Sequence, residues 1–330
     1  MGKLFFLETL VVLVIKSHSL ITFVMLEIYQ KTLSNNVSLQ GVGLHSGQKS
    51  TINILPAAED HGIVFKRIDL KKNNLIKADY SNVSSAKLCT TLENNSGVKV
   101  STVEHLLAAL YIYGIDNALV EIDNEEVPIM DGSSKDFLTM FKKIDLIDQD
   151  KKRKYLKITN RIELVKGEKK IAIEPNNLSL KINFQLNYEN KLIGKQKNVI
   201  DFQKDNLKDV YSSRTFCLYE DIEKLKSLNL AKGGSLDNAI VVKKDKILNR
   251  EKLRNEKEFV NHKILDCLGD LYLSGFKMVG KITSCQGGHN ITNQGLRKLL
   301  SKNENFSIIE LKEKNIPHSF LNKNILKSIA

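Results

Sequence analysis

Residues 258–290 read EFVNHKILDCLGDLYLSGFKMVGKITSCQGGHN, and this stretch decides the fold class. Phe259, Ile264, Leu265, Leu268 and Leu271 recur at helical spacing, and Gly275 is placed to end the run as a left-handed cap. The spacing predicts a helix over Glu258–Ser274. A strand over Met278–Cys285 follows, then a Gly-Gly turn, then a last helix near Asn293–Ser301.

Working outward, the second half adds an alternating strand over residues 178–188 and a helix near Asp221–Leu228. A turn at Gly233–Gly234 leads into a strand over Ala239–Lys243. In the first half, strands are expected at Thr51–Leu55, Gly62–Lys66, Leu88–Leu92 and Asn117–Ile122, with a helix over Thr102–Tyr113. A second helix should start near Ser133, which with Asp136 makes an acidic variant of a capping box. The charged stretch Asp145–Arg153 lacks apolar periodicity and reads as an interdomain linker. Strands and helices mix without a regular βαβ rhythm, so two α+β domains, 25–150 and 151–330, are expected rather than a doubly wound sheet. Near the N-terminus, Glu8, Lys16 and His18 interrupt the apolar runs, so no membrane-spanning helix is expected. Met25 stands just before strand-like sequence, and residues 1–24 are expected to be an extension or a mis-called start.

Composition narrows the function. Of 330 residues, 42% are apolar and 27% charged, which suits a globular protein with a real core. The net charge of +12 comes mostly from scattered Lys, with Arg at only seven of fifty basic positions, so a nucleic-acid partner is not expected. A mildly positive surface favours a small anionic substrate. The four cysteines, Cys89, Cys217, Cys267 and Cys285, form no C-x-x-C pair. That excludes a Cys-based zinc finger and points to a reducing compartment, the cytoplasm.

Four segments carry candidate chemistry. His262, Asp266 and Asp270 fall at i, i+4 and i+8, one polar stripe on the long helix. An imidazole and a carboxylate one turn apart can share a divalent ion, or can simply be a solvent-facing pair. In the Ser101–Leu110 segment, Ser101 and Glu104 fit a capping box that would account for Glu104 but not for His105. His105 lies where a helix dipole disfavours a charged imidazole, and a neutral imidazole is what a metal takes. His105, His262 and Asp266 would leave one coordination position open, the pattern of catalytic zinc. His289, after Gly287–Gly288, stands either at a sheet edge or in an ordinary surface loop, and Thr215 is either an oxyanion donor or a turn cap.

Six motifs then occur in order: Gly41–Gly47 (GVGLHSG), Ser101–Leu106 (STVEHL), Pro128–Ser133 (PIMDGS), Ser213–Phe216 (SRTF), Gly233–Ser235 (GGS) and His262–Asp266 (HKILD). Together they resemble the UDP-3-O-acyl-N-acetylglucosamine deacetylases, the zinc enzymes of lipid A biosynthesis in Gram-negative cells. The resemblance runs from about Ile28 to near the C-terminus. It implies two similar α+β domains, each a sheet packed with helices, with the active site in the cleft between them and one small insert in each.

The same resemblance implies His105, His262 and Asp266 as ligands of Zn2+, or of Fe2+ in cells. It implies Glu104 as general base, Thr215 beside the oxyanion, and His289, partnered by Asp270, assisting the leaving amine. Lys263 and Phe216 would contact substrate. One insert would lie near Ser84–Val100, bringing Leu88 and Cys89 beside the metal. The other, near Thr215–Val242, would contribute Ile222, Ala239 and Val241 to an acyl passage, and Gly234 would contact substrate. Gln286 stands where a diphosphate-binding Lys is expected, and Cys217 where Gly is frequent. The implied partner is an acylated UDP-sugar, acted on by a monomer with no stable membrane span. A related amidohydrolase acting on another N-acetyl sugar nucleotide remains the alternative.

Overall fold

The computed structural model describes the backbone of residues 2–7, 10–17, 20–177 and 179–311, and side chains from residue 27 onward. Residues 1, 8, 9, 18 and 19, within the span expected to be an extension or a mis-called start, lie outside the described residues.

A five-stranded sheet in the first half has the order Val37–Val42, Lys49–Pro56, Ala118–Ile122, Ile63–Arg67, Leu75–Lys77. Its strands alternate as half-buried strands must: Ile52 and Ile54 are fully buried while their neighbours face outward. A seven-stranded sheet in the second half is built on Lys277–Cys285, which pairs antiparallel with Lys169–Glu174 and parallel with Lys154–Ile158 and Leu180–Asn187.

Helices α1 (Glu104–Tyr113), α2 (Lys135–Phe141), α3 (Lys208–Tyr211), α4 (Tyr219–Ser227), α5 (Glu258–Tyr272) and α6 (His289–Leu300) complete the mixed α+β architecture. The central feature is the packing of α1 along α5, with α2 against α1 and α6 against α5. Two small sheets branch off. One joins Val83–Ser85, Thr91–Glu93 and Lys99–Val100; the other joins Phe216–Leu218, Ile240–Lys243 and Lys246–Ile247, beside α4. They cover the spans expected for the inserts, the first starting one residue earlier, at Val83, and the second running on to Ile247. No helix among the described residues is long and apolar enough to cross a membrane.

Several local expectations change. The stretch read as a linker contains a strand, Leu146–Lys152, pairing antiparallel with Tyr29–Leu33. Backbone groups supply those bonds, so side-chain periodicity is not needed. The expected strand Leu88–Leu92 is shorter and lies further along the chain, at Thr91–Glu93. At α2, Ser133 Oγ accepts the Lys135 N–H (3.1 Å) and donates to Asp131 (2.7 Å), so the acidic partner of that hydroxyl is Asp131 rather than Asp136. α6 begins at His289, four residues earlier than the periodicity indicates, because Gly288 in extended conformation enters the helix directly. Gly275, at φ 78°, follows α5 as expected.

Candidate active site and metal centre

The chain enters α1 through Thr102, a β-branched residue at φ 57° that is 3% exposed. Such a conformation costs roughly 1–3 kcal/mol and persists only where surroundings impose it. Here Thr102 Oγ1 donates to Glu126 (2.9 Å), whose carboxylate also accepts the His45 and Ser46 N–H groups at 2.9 and 2.7 Å. The kink defeats the expected capping box. Ser101 Oγ donates to the Glu125 carbonyl (3.3 Å), and the Glu104 carboxylate turns inward to accept the Thr90 N–H (3.0 Å).

α5 is buried nearly all round, so the stripe of His262, Asp266 and Asp270 is not a solvent-facing set; each is at most 4% exposed. Facing α1, it carries Gly269, whose missing side chain admits the Glu104 backbone: a Cβ at 269 would stand 2.0 Å from the Glu104 carbonyl oxygen. That approach brings His105 to the α5 stripe.

His105 Nε2 and His262 Nε2 each lie 3.3 Å from Asp266 Oδ1. Two donors bound about 2.1 Å from a tetrahedral ion stand roughly 3.4 Å apart, so this spacing is that of ligands around one cation. The three donor atoms lie within 4.8 Å of one another, and Asp266 Oδ1, though buried, makes no hydrogen bond among the described residues. The set fits a metal. Its orientation is fixed from behind: His262 Nδ1–H donates to the Ser213 carbonyl (3.1 Å), leaving Nε2 as the ligand atom. Lys263 Nζ donates to Asp266 Oδ2 (2.8 Å). Burial lowers the His262 pKa to about 3, so the ring is neutral. Burial works to raise Asp266, but its attraction to the His262 ring and the Lys263 ammonium outweighs it and holds the carboxyl well below its usual range.

Next to this cluster, His289 Nδ1 bonds Asp270 Oδ2 (2.8 Å) and its Nε2 faces Glu104 Oε1 at 3.7 Å. Burial opposes charge on the ring, yet Asp270 and Glu104 raise its pKa to about 10. Burial also pushes the Glu104 carboxyl upward, against the pull of His289 and His105. One carboxylate able to accept a proton thus faces one imidazolium able to give one. His289 is not in a surface loop; it opens α6 and is 8% exposed.

The remaining expected residues lie outside the donor cluster. Thr215 lies between Ser213, bonded to His262, and Phe216, whose ring is 6.3 Å from the His262 ring; its own N–H donates to the Gly132 carbonyl (2.7 Å). Lys263 Nζ also sits 5.7 Å over the Phe216 ring. Ala239 and Val241 are buried and Ile222 half-buried, whereas Gly234 is exposed and Leu88 is 44% exposed. Burial, then Glu104, pushes the Cys89 thiol up to about 12, and Cys89 is outside the donor cluster. A cleft of about 380 Å3 opens beside Lys263, lined also by Lys166, Glu168, Lys169, Leu186, Tyr188, Gln286 and Gly287. Gln286 Oε1 accepts the Asn187 N–H (2.6 Å) and so braces this cleft.

Sequence reasoning missed two residues. Buried Glu258 accepts from Arg214 N–H (3.1 Å) and Nε (2.9 Å), fixing the segment that presents the Ser213 carbonyl; the paired charges, one of them in a recognised motif, were a usable signal. Thr90, which contacts both Glu104 and Asp270, carried no signal in charge or spacing.

The buried His-His-Asp donor set between two packed helices, flanked by a carboxylate and an imidazole, has the composition of a mononuclear metallohydrolase centre. Compared with protein-family models, residues 30–301 match the family described as LpxC: UDP-3-O-acyl N-acetylglycosamine deacetylase. Curated proteins called UDP-3-O-acyl-N-acetylglucosamine deacetylase are similar along nearly their whole length. The one from Shewanella woodyi is 40% identical over 296 residues, 89% of this chain and 97% of its own. Those from Shewanella baltica and Shewanella frigidimarina are 40% identical over 297 and 298 residues, with the same coverage. The chain belongs to the UDP-3-O-acyl-N-acetylglucosamine deacetylase family.

Proposed function

We propose that the protein is a metal-dependent amidohydrolase that removes the N-acetyl group from a UDP-3-O-(3-hydroxyacyl)-N-acetylglucosamine, releasing acetate and the free amine in lipid A biosynthesis. The observation that carries the reading is Asp266 Oδ1, buried, without a hydrogen bond among the described residues, and 3.3 Å from two imidazole nitrogens.

His105, His262 and Asp266 would hold the cation, Zn2+ or Fe2+, which when bound supplies Lewis acidity and acidifies water at neutral pH. Glu104, beside this set, accepts the proton of the water that attacks the acetamide carbonyl. Thr215 donates its hydroxyl to the developing oxyanion; one such donor contributes about 3 kcal/mol. His289, held charged by Asp270, stabilises or protonates the departing glucosamine nitrogen. Either His289 or Glu104 delivers the final proton.

The lysine-lined cleft with Lys166, Lys169 and Lys263 suits the diphosphate, replacing the lysine that Gln286 displaces. Phe216, Leu88 and the second small sheet, with Ile222, Gly234, Ala239 and Val241, would receive the acyl chain. Domains spanning 25–150 and 151–330, a cytoplasmic location and a monomeric state belong to the same reading. Elemental analysis of purified protein, with acetate release measured on acylated and non-acylated UDP-N-acetylglucosamine, tests it. One equivalent of zinc or iron and strong preference for the acylated substrate are expected; rapid turnover without the acyl chain would favour an amidohydrolase for another N-acetyl sugar nucleotide.

A further inference from the structure

Thr90 is 1% exposed and stands one residue before the central strand of the first small sheet. Its backbone N–H donates to Glu104 Oε2 (3.0 Å), and its hydroxyl donates to Asp270 Oδ1 (2.6 Å). Its carbonyl accepts the Val103 N–H at the entrance to α1 (3.4 Å). One residue therefore reaches the two carboxylates that stand on either side of His289, one on α1 and the other on α5. With Thr90 on Oδ1 and His289 on Oδ2, both oxygens of Asp270 are engaged and its plane is fixed, which fixes the direction of the His289 ring.

We propose that Thr90 is a positioning residue that sets the His289 imidazole relative to the Glu104 carboxylate through Asp270. This rests on the proposed roles of Glu104 and His289. Removing the hydroxyl leaves Asp270 free to turn about its terminal torsion, and His289 turns with it. The backbone bond to Glu104 survives any side-chain change, so only the Asp270 arm is lost.

The test compares Thr90→Val, which keeps the shape and loses the donor, with Thr90→Ser, which keeps the donor. Thr90→Val should lose roughly 10–100-fold in kcat, with KM and metal content unchanged, and Thr90→Ser should recover most of it. The Nδ1 proton resonance of His289, read by NMR, should move in Thr90→Val and stay in Thr90→Ser, independently of turnover. In an Asp270→Asn background, Thr90→Val should cost little more. A wild-type kcat in Thr90→Val, or equal losses in both variants with an unmoved resonance, overturns the proposal. If Thr90→Val does not fold, Thr90→Ala takes its place, and failure of both to fold overturns it as well. Absence of deacetylation by the wild type would instead sink the functional reading, while the resonance would still report on Thr90.

Discussion

The Cα of Gly269 on α5 packs against the Glu104 carbonyl at the start of α1, leaving no room for even one methyl group. The contact lies between the residue proposed as base and the turn separating Asp266 from Asp270. Gly269→Ala should therefore push the helices apart. Overpacking of this kind costs about 1–3 kcal/mol, so a lowered Tm together with weaker metal retention is expected, read by calorimetry and elemental analysis. Wild-type metal affinity in this variant would mean that α1 can shift without disturbing the site.

His105→Ala and His262→Ala remove donors from the cluster and should lose metal as well as turnover. Glu104→Ala should keep its metal and lose roughly 10²–10⁴-fold in rate, the usual worth of a general base. Measuring metal content beside acetate release separates the two classes; full turnover in Glu104→Ala would remove it from the mechanism.

The pH profile should carry the mark of His289. Its pKa is raised from 6.5 to about 10, so the ring is charged at neutral pH and discharges as pH rises through about 10. The linked stability is fully present below about 6.5 and is lost over that same rise. The rate should fall on the alkaline side near this pH, and Asp270→Asn should move that limb downward. On the acidic side, burial raises Glu104, so the base is lost above the ordinary carboxylate range. An alkaline limb unchanged in His289→Ala would assign it elsewhere.

Glu258→Gln should destabilise strongly. Glu258 is fully buried and neutralises Arg214, itself 3% exposed. Breaking one partner of such a pair typically costs about 3–5 kcal/mol. Thermal denaturation checks this, and the damage should extend to His262, whose Nδ1 depends on the neighbouring Ser213 carbonyl.

The site was legible in the sequence where chemistry follows helical spacing. His262, Asp266 and Asp270 sit one turn apart, and that stripe is real. What periodicity cannot supply is the partner of a helix face, and α1 comes from a remote segment. Glu104 looked like a cap because Ser101 stands three residues before it; the left-handed Thr102 between them undoes that geometry and hands the carboxylate to the site. The strand Leu146–Lys152 leaves no mark in the sequence because backbone pairing needs no side-chain pattern. The two glycines before His289 leave a sheet edge and a surface loop equally open in the sequence, whereas the helix begins at that residue.

Because one imidazole belongs to α1 while the other and the aspartate belong to α5, the centre exists only while those helices stay in register. A screen that scores turnover will thus collect lesions scattered along their shared seam, many of them remote from any reacting atom. Catalytic output in this chain doubles as a gauge of how well two halves of a polypeptide are fastened together.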